Sequence, residues 1–266
     1  MANTLEEALV HIFGHEGGFT RDPRDPGNWT GGKIGVGENR GTKYGIACHA
    51  HPNVDIANLT IAMAAEIYRR QYAAPVGYAD LPAGIDLVAF DASVNSGPAA
   101  SLRFLGRTLG VTWTAAAVVA ASNAAKDKVA VIKGACAERL AFMRSLAIWA
   151  TYGVGWSRRV ASIEATAVKW WLRSQGTAPA QIKQQLVTES NAADKQSKND
   201  VKGAVASTGA SATTGGTGWW ASLEWYETAA LIVFAVLFVL AIINFAKRAV
   251  VNRQRSTAYQ DAANAA

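Results

Sequence analysis

One stretch near the C-terminus constrains this chain more than any other. It opens at Thr228, closes at Ala246, and holds no charged residue between Glu227 and Lys247. As a helix, residues 228–246 would measure roughly 28 Å, close to the thickness of a bilayer core. Trp219, Trp220, Trp225 and Tyr226 precede the run as an interfacial aromatic belt would, and Lys247, Arg248, Arg253 and Arg255 follow it. A buried core helix is the alternative, but a lone segment after a tether has no core to enter. The expectation is therefore a single C-terminal transmembrane helix. The positive-inside rule puts the tail after Lys247 in the cytoplasm and residues 1–220 outside. The N-terminus conflicts with that placement, because it has no basic region and no long apolar run to act as an export signal.

The tether is read from composition. Residues 176–218 are polar, small and repetitive, and no aromatic residue occurs from 195 to 218. Such a segment predicts a flexible linker, with room for a short helix over 181–190. Residues 1–173 are by contrast dense in apolar and aromatic side chains. Thr4 and Glu7 have the spacing of a capping box, ahead of Leu5, Ala8, Leu9, Ile12 and Phe13 at a helical period. Thr60 can cap a second helix, and a third is expected over about 84–95. Pro98 and Gly110 bracket a fourth, and longer helices are expected over about 114–124, 126–149 and 157–174. Residues 21–51, rich in Gly, Asn, Asp and Pro, suit a small hairpin. The predicted plan is mostly α, with one small β or loop lobe. The net charge of +6, from 26 basic and 20 acidic residues, does not demand nucleic acid and fits an anionic polymer or envelope equally well.

Glu16 follows Leu5, Leu9 and Ile12 at offsets of 11, 7 and 4, which puts it on the apolar stripe at the end of the first helix. Desolvation and the negative end of the helix dipole both disfavour a carboxylate there. A carboxylic acid kept protonated near neutral pH is what general-acid catalysis needs. Gly17 and Gly18 then break the helix beside it. Asp22 and Asp25 each precede a proline, and either would complete an acid-plus-carboxylate pair for glycoside hydrolysis; two turn aspartates are the commoner use of Asp-Pro-Gly.

These residues carry a resemblance. His15-Glu16-Gly17-Gly18-Phe19, the Asp-Pro-Arg-Asp-Pro-Gly run ending at Gly27, and Gly41-Thr42-Lys43-Tyr44-Gly45-Ile46 resemble the N-terminal signature of glycoside hydrolase family 108. That family holds phage and prophage N-acetylmuramidases of lysozyme-like fold. Ile67, Tyr68 and Tyr72 suit its second helix, and Phe90-Asp91 with Val94-Asn95-Ser96-Gly97 suits its buried third helix. Gly155-Trp156-Ser157-Arg158-Arg159-Val160 is similar to the start of an associated peptidoglycan-binding segment. The resemblance implies Glu16 as catalytic acid, Asp25 as stabiliser or base, and Thr42 as the hydroxyl that positions water or touches sugar. Asp22, Tyr44, Asn95, Trp156 and Arg158 are the expected substrate contacts. The implied domains are 1–110, lysozyme-like and catalytic; 111–175, helical and peptidoglycan-binding; 176–218, linker; and 219–266, membrane helix and basic tail. Residues 28–40 form a Gly-rich insertion that departs from the shorter family pattern between Asp25 and Thr42.

His11 and His15 are four apart, but the His-Glu-x-x-His order is absent, and neither a metal nor another cofactor is expected. Asp91, on an apolar helix, calls for a buried hydrogen bond or an Arg partner. Cys48 and Cys136 allow at most one bridge, and thiols are the default without export. The sequence thus predicts a membrane-tethered muramidase of endolysin type. It would act on glycan strands from the periplasmic side of the host inner membrane, with the lipid bilayer and a holin as further partners. The rival readings are a non-catalytic wall-binding or envelope-anchoring protein and a lysis protein acting through its membrane segment.

Overall fold

The computed structural model describes residues 4–13, 18–209 and 225–266. The described residues are mostly helical with one two-stranded sheet, and the chain divides into two compact units, Met1–Arg139 and Leu140–Ala266.

In the first unit, α1 (Thr4–Phe13) buries Ala8 and Leu9, as its apolar stripe predicts. The hydroxyl of Thr4 donates to Asp86 Oδ2 at 2.6 Å and accepts from the Tyr78 hydroxyl at 3.1 Å. The residue expected to cap α1 instead lies in its first turn, and its hydroxyl ties the helix to a distant part of the chain. Thr60 does cap α2 (Ile61–Tyr68), accepting from Met63 N. A π-helical turn and two 3-10 turns lead to α3 (Ile85–Ser96), in which every residue from Ile85 to Ser93 is buried. α3 packs on α4 (Pro98–Leu109), opened by Pro98 and closed by left-handed Gly110, and α4 packs on α5 (Ala115–Ala124), capped by Thr114. Next comes α6 (Lys128–Arg144). Within this core Asp91 pairs with Arg139, each side chain 1% exposed, which meets the expectation of a buried Arg partner. Cys48 and Cys136 are buried thiols.

The second unit contains α7 (Trp149–Ser174), α8 (Pro179–Gly209) and α9 (Trp225–Asn264). Most of the expected flexible linker is thus the 31-residue helix α8; residues 210–218 lie outside the described residues. Ile182, Leu186, Ser190, Ala193, Ser197 and Asp200 recur at spacings of three and four along α8 and are buried. They meet the matching row Ala249, Asn252, Ser256, Tyr259 and Ala263 of α9. Ser190 donates to Ser256 O, Ser197 to Ala249 O, and Asn252 to Asp200 Oδ2, so the two helices run antiparallel. On α7, Glu164 accepts from Arg255 Nε (3.0 Å), Arg255 Nη2 (2.6 Å) and the Tyr259 hydroxyl (2.8 Å).

The structure does not bear out the membrane reading. Residues 228–246 lie within α9, and among the described residues no helix is long and apolar enough to cross a membrane. The single-pass anchor is therefore not supported, and the inner-membrane placement and bilayer partner that rested on it fall with it. The run is one part of a longer helix that continues to Asn264, and the residues of α9 that bond to α7 and α8 lie beyond it, from Ala249 to Tyr259.

Candidate active site

The loop lobe of the first unit is built on a minimal sheet. Strands β1 (Thr42–Lys43) and β2 (Ile46–Ala47) pair antiparallel, with Thr42 opposite Ala47 and Lys43 opposite Ile46. Tyr44 and Gly45 make the two-residue connection with φ of 52° and 72°, the left-handed pair that a tight hairpin turn requires. The Tyr68 hydroxyl donates to Tyr44 O at 3.1 Å, which ties the turn to α2. On the other edge Thr20 and Thr42 exchange two backbone hydrogen bonds of 2.9 Å. Gly41 fits there because a Cβ would lie 2.5 Å from Thr20 O.

Residues directly opposite in an antiparallel pair share a face, so Thr42 and Ala47 point the same way. The Asp22-to-Gly27 turn lies over that face. A Cβ added at Gly27 would be 3.6 Å from Ala47 Cβ and 3.2 Å from Asp25 Oδ1. Asp25 and Thr42 therefore flank one side of the sheet, despite the 28–40 insertion between them. The insertion returns to its start: Trp29 bridges Asn39, and Arg40 N and Gly41 N both donate to Asn28 O, at 2.9 and 3.1 Å.

The two aspartates have different surroundings. Asp22 takes three hydrogen bonds from Arg24, through its backbone N, Nε and Nη2. The Arg24 guanidinium holds the Asp22 carboxyl down at about 2, so it is anionic at all ordinary pH. Asp25 is exposed; its Oδ1 caps a short 3-10 turn by accepting from Gly27 N at 2.8 Å, and Oδ2 has no partner among the described residues. The Thr42 hydroxyl is buried and likewise has no partner among the described residues. Burial, with His49 nearby, lowers the pKa of His51.

Glu16, the expected acid, lies outside the described residues, as does His15. Asn95 is exposed near the end of α3, its carboxamide oxygen accepting from the Ser96 hydroxyl. Trp156 and Arg158 belong to the second unit, in the first turns of α7. There the Trp156 ring stacks on Tyr152 at 5.7 Å between centroids, and Arg158 is exposed.

The first unit thus presents a short hairpin, a double Asp-Pro turn over one of its faces, and a buried helix behind. Residues 9–97 match the family model described as Glycosyl hydrolase 108. The matched segment contains Glu16, Asp22, Asp25, Thr42, Tyr44 and Asn95, and it ends before Trp156 and Arg158. Among solved structures, that of Brucella abortus SagA is similar, at 28% identity and a TM-score of 0.53. The alignment covers 64% of this chain and 97% of that one. No curated protein matches the chain. The glycosyl hydrolase 108 match supports a glycoside hydrolase of the lysozyme-like, peptidoglycan-cleaving kind. It does not extend to the expected peptidoglycan-binding segment, nor does it support a holin partner.

Several residues that shape this site were not among its expected members. Arg24 neutralises Asp22, and Tyr68 holds the hairpin turn. Asn28 is fully buried and joins the aspartate turn to the strand. A lone Asn after Pro-Gly looks like an ordinary turn residue, because its partners lie up to 20 residues away.

Proposed function

We propose that this chain is an N-acetylmuramidase that cleaves the β-1,4 bond between N-acetylmuramic acid and N-acetylglucosamine, in the role of a phage or prophage endolysin. The observation that carries the reading is the glycosyl hydrolase 108 match over residues 9–97, whose span contains both Glu16 and the face shared by Asp25 and Thr42.

In this mechanism Glu16 protonates the leaving glycosidic oxygen. Asp25 stabilises the oxocarbenium-like state or activates water. Its Oδ2, which has no partner among the described residues, supports that role, since Oδ1 is already engaged. The Thr42 hydroxyl, with no partner among the described residues, is suited to hold water or a sugar hydroxyl. Asp22 acts with Arg24 as a fixed charge pair at the rim, and Tyr44 and Asn95 contact the glycan. In the second unit, the stacked Trp156 ring and exposed Arg158 suit sugar faces and stem-peptide carboxylates.

The test is hydrolysis of purified sacculi by the full chain, as wild type and as Glu16→Gln, with the released ends identified. Wild type should generate reducing N-acetylmuramic acid ends, and the folded variant should generate none. Equal release by both would remove Glu16 from the chemistry. Binding without cleavage by both would make the protein a wall-anchoring module.

A further inference from the structure

Asn28 is 0% exposed and bonds at three of its atoms. Its carbonyl oxygen accepts from Arg40 N (2.9 Å), Gly41 N (3.1 Å) and Cys48 Sγ (3.1 Å), so it holds the strand leading into Thr42 and the residue that follows β2. Its backbone N donates to Asp25 O at 3.1 Å, and its Nδ2 donates to Asp22 O at 3.0 Å. Asp25 N also donates to Asp22 O, at 3.1 Å. The whole Asp22-to-Asp25 turn is therefore closed on itself and fastened to Asn28, which in turn is fastened to the Thr42 strand. Of the side-chain atoms, only Nδ2 is used: Oδ1 is buried with no partner among the described residues. Turning the amide over would set two acceptors against each other at Asp22 O, so the orientation is fixed by chemistry. A buried polar atom left unsatisfied costs stability, and such costs concentrate at functional sites.

We infer that Asn28 is a positioning residue for glycan cleavage: it holds the Asp25 turn over the Thr42 face and acts through Asp25. The inference rests on the proposed role of Asp25. A carboxylate displaced by about 1 Å from its working place loses rate on the order of 100-fold, which is the scale on which such a fastening matters.

The test is a double-mutant cycle in the full chain, with Asn28→Ala, Asp25→Asn and the pair assayed on purified sacculi. Asn28→Ala should lower kcat about 10- to 100-fold while apparent KM stays within about twofold. It should add nothing further in the Asp25→Asn background, because both changes remove the same contribution. If the two effects multiply, or if Asn28→Ala is as active as wild type, the inference is overturned. Should circular dichroism find Asn28→Ala unfolded, Asn28→Asp enters the same cycle. It keeps the shape and replaces the donor facing Asp22 O by an acceptor. Full activity of Asp25→Asn beside a silent Glu16→Gln would sink the Asp25 role and this inference while leaving the hydrolase reading intact. An active Glu16→Gln would sink the hydrolase mechanism itself.

Discussion

Thr42 keeps a hydroxyl in a buried position where no described neighbour satisfies it. Such a group typically costs about 1–3 kcal/mol, so its retention argues for use rather than stability. Thr42→Val keeps the shape and the β-branched fit to the strand. We expect its thermal stability to equal or exceed that of wild type, while sacculus hydrolysis drops about tenfold or more. A fully active Thr42→Val protein would exclude the hydroxyl from catalysis. A second residue-scale case is Asp86, which receives Gly84 N, Leu87 N and the Thr4 hydroxyl. Burial nonetheless pushes its carboxyl above the ordinary 3.8. In the folded state it therefore holds its proton at pH values where the unfolded chain has lost it. Its contribution to stability is complete below 3.8 and is lost as pH rises through the folded value. Asp22, held near 2, has the opposite sign, and its stability is lost as pH falls below 3.8. Asparagine at position 86 cannot ionise. The stability of Asp86→Asn relative to wild type should therefore improve in thermal melts as pH rises above the ordinary 3.8. Parallel curves would refute the assignment.

At the scale of elements, helix starts and stops were the most legible features. Thr60, Pro98, Gly110 and Thr114 sit where cap chemistry predicts, since caps act on backbone groups within one turn. The α8–α9 seam was not legible, because after Leu186 the three-and-four repeat of α8 is filled with Ser, Ala and Asp in place of large aliphatics. A hydrophobicity pattern registers such a row as solvent-facing, and only the partner helix gives these polar groups their hydrogen bonds. The seam is reinforced by Glu164, whose side chain is 3% exposed against Arg255. Removing one member of a buried pair leaves an uncompensated charge, so Arg255→Met should destabilise the packing of α9 by about 3 kcal/mol or more. Urea unfolding followed by hydrogen exchange over residues 249–263 would measure it. A change below about 1 kcal/mol would mean that the pair is effectively solvated.

At the scale of the whole molecule, the chain separates into one unit that carries the family match and the double-aspartate turn, and a second unit made from the C-terminal helices. The sequence by itself determined the helical class, the loop lobe between α1 and α2, the order of the Glu16, Asp25 and Thr42 candidates, and the resemblance that the match over residues 9–97 supports. Those properties depend on local periodicity, on turn chemistry and on motifs of a few residues, all readable along the chain. Tertiary structure alone decided that the 28–40 excursion closes on Asn28 and leaves Asp25 and Thr42 on one face. It alone turned a presumed tether into α8, and it left no membrane-spanning helix among the described residues. For the excursion and for α8 the deciding hydrogen bonds join residues far apart in sequence, and whether a polar side chain has a partner is a property of its neighbours in space.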